Sequence, residues 1–371
     1  MDSRREERDF PPRHAGRRSG PAGAATVAGG SRARRNRVAI EDVYREGRLT
    51  MKGRVASGAV ALMVCGILGW SADGLAQTRL VVKSARAGTS YYALAIGTSK
   101  ALMTVPGVEA SVEESLGSVA NVKEARTRSN YLFTSTSDLI AQAMKKTKPF
   151  DESGYERIRA LWAFPGVVMH WVVRQDSGIA TIRDLEGKRF IPGGIGTSTE
   201  RLTKLVLKVY GLEGKVDLPA VDLKEGVDAV TNRRAVGFTT GSPFPTPMVM
   251  ELVATTSVRL LEIGEAEYKK LAEVDPTYSP TIIPADTYKG VSVDTRTVAS
   301  PVLMYTTEDL SEDLAYKLTK AFWENRKLIA EAHATGKGLD MAGIRYGIAK
   351  VHPGAQRYYK EVGVEIPASM R

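Results

Sequence analysis

The sequence predicts an α/β fold built as two similar α/β halves. Two observations carry this. Short apolar runs of strand length alternate with longer segments of helical apolar spacing over residues 80–140, and a second alternating series starts near Phe190. At 371 residues the chain is long enough for two domains of ordinary size. Its 43% apolar and 25% charged residues are those of a globular protein that builds a core.

The elements follow in order. Leu80–Lys83 reads as a first strand, Ser84–Ser90 as a loop of small residues, and Tyr91–Met103 as a helix with Leu94, Ala95, Thr98, Ala101 and Leu102 inward. Val108–Glu113 is a second strand. A helix opens at Gly117-Ser118, a third strand runs over Tyr131–Thr134, and another helix starts at Leu139 after Ser135-Thr-Ser-Asp138. This βαβαβ order implies a parallel sheet, with polar loops at the strand C-terminal ends where open α/β sheets bind ligands. Ile158–Phe164 and Val167–Arg174 are two further strands. The second series has strands near Phe190, Val216–Val221, Val236–Thr239 and Val258–Ile263, and Val298–Tyr305 is a late apolar strand. Ser311 caps a helix with Leu314, Leu318, Phe322, Asn325 and Ile329 on one face. The pattern permits a crossover and a return between the halves, which makes a cleft with a hinge.

Residues 1–76 differ from the rest. Residues 1–50, rich in Arg, Gly, Ala and Pro without apolar periodicity, are expected to be disordered or a misassigned extension, with translation starting at Met51. Met51–Arg54 is basic, Val55–Trp70 is apolar or small, and Gly74 and Ala76 are small: the order of a secretory signal, with cleavage expected after Ala76. An uncleaved anchor is the alternative, although sixteen residues are short of the about 20 that a membrane span needs. The single cysteine, Cys65, lies in this run after Val64, where a lipid-anchored signal would have a small residue. The remainder carries no cysteine and folds on core burial alone. Residues 1–76 hold 14 Lys+Arg and 8 Asp+Glu, so 38 of 52 basic and 34 of 42 acidic residues lie beyond them, a net of +4 against +10 for the chain. That mild, mixed charge gives no basis for nucleic-acid binding.

The most informative segment is Gly187–Tyr210. A short apolar strand enters the glycine loop Gly193-Gly-Ile-Gly196, and a helix begins at once, with Leu202, Leu205, Val206, Val209 and Tyr210 on one face. Thr197, Ser198 and Thr199 are competent caps and Glu200 adds an acid to the first turn. A helix N-terminus beside glycines suits a small anion such as a carboxylate; a tight turn without a ligand is the alternative.

Enzyme signatures are missing from the sequence: no Gly-x-Ser-x-Gly, Ser-x-x-Lys, His-Glu-x-x-His, Walker loop or Gly-x-Gly-x-x-Gly. Beyond residue 76 the histidines are His170, His333 and His352, none with a second metal-type ligand at helical or turn spacing. His170, between Met169 and Trp171, reads as a hydrogen-bonded core or crossover histidine, with a place in the cleft as the rival. His352, before Pro353-Gly354, reads as a turn residue.

From about Leu80 to Val364 the chain resembles the TAXI-family solute-binding subunits of tripartite TRAP transporters. The resemblance rests on seven segments in order: Tyr91-Tyr92, Glu114–Asn121, Thr136-Ser137-Asp138, Asp176–Ile179 with Asp184–Arg189, the glycine loop, Ile283–Tyr288 and His352–Glu361. It implies a type II periplasmic-binding-protein-like fold, two α/β lobes joined by a hinge with a ligand cleft between them. The expected divisions are 77–174 for the first part of lobe one, 175–295 for lobe two, and 296–371 for the return to lobe one. It further implies periplasmic capture of a small anionic ligand (dicarboxylate, 2-oxoacid or acidic amino acid), lobe closure upon it, and delivery to TRAP membrane subunits by a monomer. No cofactor, metal or catalytic residue is expected. A sensory or scavenging binding protein without a transporter is the second reading, and an exported enzyme the least favoured. The chain departs from the family where Ser198 replaces a glycine in Gly196-Thr-Ser-Thr199, where Tyr131 and Val236 fall on Asp positions, where Thr89 replaces a glycine, and where Arg86 replaces a small polar residue.

Arg86 is the first choice to pair a ligand carboxylate, since a guanidinium binds carboxylates as a fork; a solvated surface arginine is the rival. Thr89 and Ser90 share its loop. Tyr91 either faces the ligand or packs. Ser118 and Asn121 either touch the ligand or cap their helix. Thr136 and Ser137 precede Asp138, itself expected to cap. Gly196, Thr197, Ser198 and Thr199 form the helix start, and Gly241, in Thr240-Gly-Ser-Pro243, faces the cleft from lobe two or makes a structural turn.

Overall fold

The computed structural model describes residues 77–371. The readings of residues 1–76 (extension, signal, cleavage after Ala76, Cys65) lie outside the described residues. The chain first forms β1 (Thr78–Lys83), α1 (Ser90–Leu102), β2 (Val108–Glu113), α2 (Ser118–Glu124), β3 (Tyr131–Thr136) and α3 (Ser137–Met144). Next come β4 (Ile158–Arg174), β5 (Phe190–Ile191), α4 (Ser198–Val209), α5 (Leu223–Thr231), β6 (Gly237–Ser242) and α6 (Pro247–Thr255). Then follow β7 (Val258–Leu260), α7 (Glu265–Val274), β8 (Ser279–Ile283) and β9 (Thr295–Thr307). The chain ends with α8 (Glu312–Glu324), α9 (Arg326–Ala332) and α10 (Pro353–Glu361).

The expected βαβαβ unit forms. Its parallel strands lie in the order β2-β1-β3, with Leu80 opposite Ala110 and Val82 opposite Leu132. Leu80 and Val82 are buried on alternate positions of β1, and Leu94, Ala95, Thr98, Ala101 and Leu102 of α1 are all buried. Helices begin where the sequence offers caps: Thr89 accepts from the Tyr92 amide, Thr197 from that of Glu200, and Ser311 from that of Leu314.

Two long antiparallel strands join the halves. Over Ile158–Phe164 strand β4 pairs with the C-terminal half of β9, which also pairs with β3. Over Val168–Val173 the same strand pairs with β6, while the N-terminal half of β9 pairs with β8. The sheet runs β2-β1-β3-β9-β4-β6-β5, with β7 paired to β4 and β8 to β9 off this path. The two expected runs before and after Pro165-Gly166 are therefore one 17-residue strand. Its register slips between Phe164 and Val167, because proline supplies no ladder N–H and Gly166 lies tight against the Ser300 carbonyl. Two strands crossing together with a bulge are the hinge, and the fold is two α/β lobes with a cleft between them.

Other expectations are corrected. Val216–Val221 is not a strand: only Asp217 bridges, to Arg189, and Pro219 denies the segment a ladder donor. The helix capped by Ser311 stops at Glu324. Asn325, whose side chain bonds the Ala321 carbonyl, separates it from the helix carrying Ile329. His352 is buried and caps α10, its Nε2 donating to the Leu310 carbonyl and its Nδ1 accepting from the Gly354 amide.

Candidate functional site

A cavity of about 100 Å³ lies between the lobes over the hinge. Lobe one supplies Arg86 and Thr89 from the β1–α1 loop, Tyr91 from the first turn of α1, and Leu116-Gly117-Ser118 at the start of α2. Lobe two supplies Thr197–Thr199 at the start of α4, Asp222–Lys224 at the start of α5, and Thr240–Ser242 at the end of β6. Val167 and Val302 of the hinge strands form its floor. Polar loops at element ends and apolar hinge residues thus meet at one place, as sites on open α/β sheets do.

The lobes touch across it. The Val119 amide of α2 donates to the Gly196 carbonyl at 3.2 Å. Arg86 Nε lies 2.5 Å from Asp222 Oδ2. That contact is an ion pair rather than an aligned hydrogen bond, since the buried Nε has no acceptor along its N–H. Gly117, at φ +128°, lets the two loops meet: a Cβ there would lie 2.9 Å from Thr197 Cγ2. Gly241 is close-packed too, a Cβ falling 2.7 Å from Val167 Cγ1 and against the Thr199 hydroxyl.

Of the sequence-expected residues, Arg86, Thr89, Tyr91, Ser118, Thr197, Ser198, Thr199 and Gly241 line the cavity. The others do not. Asn121 is buried, its amide donating to the Ser84 carbonyl at 2.8 Å and the Thr134 carbonyl at 3.0 Å and its oxygen accepting from Ser115. Its hydrogen-bonding capacity is spent tying β1 to β3. Ser137 donates to the Tyr346 carbonyl at 2.8 Å. Ser90 and Thr136 are buried in lobe one, off the cavity wall. Gly196 is also off the wall: its carbonyl accepts from Val119 and its amide donates to Glu200 at 2.9 Å. The glycine loop is therefore half satisfied by its own acid and cap. The amides of Ser198 and Thr199, in the first turn, have no protein acceptor among the described residues. Tyr91 lines the cavity but sends its hydroxyl to the Pro165 carbonyl at 2.7 Å, fastening α1 to the hinge. Burial pushes its phenol well above the ordinary range.

The structure adds residues that pattern reading missed. Asp222 was legible only as a polar residue before an amphipathic helix, which it caps by accepting from the Lys224 amide. Ser242 lines the cavity with a buried hydroxyl that has no partner. Behind this wall stands a buried chain. The Thr246 amide donates to the Tyr288 hydroxyl at 2.9 Å, Tyr288 donates to His170 Nε2 at 2.8 Å, and His170 Nδ1 donates to the Val168 carbonyl at 2.9 Å. Burial holds the His170 pKa down at about 4, so the imidazole is neutral at pH 7. Asp138 lies beside the hinge, accepting from Tyr278 at 3.1 Å and Ser300 at 3.3 Å, and burial raises its pKa.

A second recess, of about 580 Å³, runs along Phe164, Gly166 and Ala299–Val302 toward residues 338–348. It is larger, but it takes no residue from the loops that meet across the first cavity. Among the described residues no group of three or more His, Cys, Asp or Glu could hold a metal ion, and no helix is long and apolar enough to cross a membrane.

Among solved structures, the periplasmic binding protein BugD matches with a TM-score of 0.50 at 13% identity, covering 78% of this chain and 99% of that one. The alkanesulfonate-binding protein SsuA from Xanthomonas axonopodis pv. citri, bound to MOPS, gives a TM-score of 0.41 at 14% identity, over 76% and 83% of the two chains. A TctC solute-binding protein from Polaromonas gives 0.38 at 13% identity, over 70% and 86%. At such identities the likeness to BugD speaks for the fold alone, and it agrees with two lobes on a two-strand hinge. The model of the NMT1-like family matches residues 82–363, both lobes and the hinge together, and the chain belongs to the NMT1-like family.

Proposed function

We propose that this protein is an extracytoplasmic receptor that captures a small carboxylate between its lobes and delivers it to the membrane subunits of a TRAP transporter, as the TAXI-like segments suggest. One observation carries the ligand part of this reading: the interlobe cavity, lined from both sides, holds the guanidinium of Arg86 with a buried Nε that no acceptor meets along its N–H. The free amides of Ser198 and Thr199 support the same charge preference. Contacts from both lobes favour the closed state, so binding and closure are one equilibrium. The lobe divisions at 174–175 and 295–296, export to the periplasm, and a monomeric state belong to the same reading.

A ligand that binds only the folded state raises its stability in proportion to the logarithm of its concentration over Kd. Thermal unfolding of the protein with pyruvate, 2-oxoglutarate, succinate and glutamate tests the reading. At least one should raise the melting temperature in a saturable way, and Arg86→Gln should abolish the rise. No response to any carboxylate, with a response to a neutral solute, would overturn the ligand class.

A further inference from the structure

We propose that Asp222 is a specificity-determining residue: an internal carboxylate that holds Arg86 and that an anionic ligand must displace. The inference rests on the carboxylate reading of the cavity and goes beyond it. Arg86 and Asp222 belong to different lobes, and their side chains meet 2.5 Å apart on the cavity wall. No other acid among the described residues stands within ion-pair distance of Arg86. Asp222 is held in place independently, since its Oδ1 accepts from the Lys224 amide at 3.0 Å while Oδ2 faces the guanidinium.

The chemistry follows from that arrangement. A carboxylate entering the cavity seeks the guanidinium that Asp222 already neutralises, and it meets the negative charge of Asp222 at the same place. Both side chains are only about one-third exposed, 35% for Arg86 and 29% for Asp222, so water screens this competition only in part. The cost of displacing Asp222 is subtracted from the affinity of every anion. It is smallest for a ligand bearing a cationic group beside its carboxylate, which gives Asp222 a new partner. Asp222 thereby sets both the strength of binding and the preference among carboxylates.

The test uses the full-length protein and two variants that keep the helix cap, Asp222→Asn and Asp222→Ser. Asparagine removes the charge at equal size; serine is too short to reach Arg86. Pyruvate, succinate and alanine are titrated by calorimetry, and each variant is melted without ligand to show that it folds. Both variants should bind pyruvate and succinate about tenfold more tightly than the wild type, with a smaller gain or a loss for alanine. Acquisition of pyruvate binding by the variants when the wild type shows none has the same meaning. Wild-type protein that binds pyruvate with variants that fold and bind it equally or less well overturns the role of Asp222 and leaves the receptor reading standing. If wild type and variants all fail to bind either acid, the inference and the carboxylate class fall together.

Discussion

At the residue scale, Asn121 shows that one residue of a segment can turn away from the cavity its neighbours line. The segment Glu114–Asn121 points to a site, and its neighbours Leu116, Gly117 and Ser118 do line the cavity. The asparagine at its end faces the other way, into lobe one. Nothing in a sequence separates a helix residue that caps or crosslinks from one that touches ligand, because both need a polar side chain near a helix start. Burial decides it: a fully buried amide must be satisfied, and Asn121 is satisfied by two strand-end carbonyls and Ser115. Asn121→Ala takes one donor from each of those buried carbonyls, Ser84 keeping the Thr134 hydroxyl at 3.3 Å, which at about 1–3 kcal/mol per unsatisfied group costs on the order of 2 kcal/mol. Urea unfolding should show that loss, while the folded variant binds ligand with unchanged affinity. A variant of normal stability with weakened binding would return Asn121 to the ligand.

At the scale of elements, the first parallel unit and several caps were legible and geometry between lobes was not. The parallel β2-β1-β3 unit follows from local alternation, and Thr89, Thr197 and Ser311 cap their helices because short hydroxyl side chains satisfy first-turn amides. The joining of two apolar runs into one hinge strand was not legible, because Pro165-Gly166 reads locally as a break and is bridged only by its partner β9. The Arg86–Asp222 pair was equally hidden, since 136 positions separate residues that meet only when the lobes do. Gly117 belongs to this scale. Its φ of +128° and the 2.9 Å between its missing Cβ and Thr197 Cγ2 make it a spacer between the α2 and α4 starts. The clash in Gly117→Ala acts only where the α2 and α4 starts meet as they do here, and the backbone, in a region essentially confined to glycine, adds about 1–3 kcal/mol whether or not they meet. The variant should show ligand affinity reduced about tenfold or more and a larger radius of gyration in X-ray scattering with saturating ligand. Thr197→Ser, which keeps the cap and removes Cγ2, should recover part of the loss. Wild-type affinity in Gly117→Ala would mean that the lobes need not approach this closely.

For the whole molecule, acid should act with opposite signs on the two kinds of buried titratable group. His170 holds lobe two together behind the cavity through Tyr288 and the Thr246 amide. Its pKa of about 4 in the fold lies below the about 6.5 of an unfolded histidine, so the unfolded chain binds the extra proton between those values. Stability from this group is complete above pH about 6.5 and falls as the pH drops toward 4, by on the order of 3 kcal/mol in all. Asp138 runs the other way. Burial raises its pKa, so the folded form takes up the proton first, and acidification relieves the cost of a buried carboxylate between α3, Tyr278 and the hinge strand. Falling pH therefore loosens lobe two from within while it eases the strain beside the hinge. Urea unfolding at intervals from pH 7 to 4 separates the two when the variants are subtracted from wild type. His170→Gln should flatten the decline below pH 6.5, and Asp138→Asn should steepen it toward pH 4 by removing the opposing group. The shared background of surface carboxylates cancels in each difference, so each slope reports on one residue. Parallel wild-type and His170→Gln curves would mean that burial does not hold the imidazole neutral.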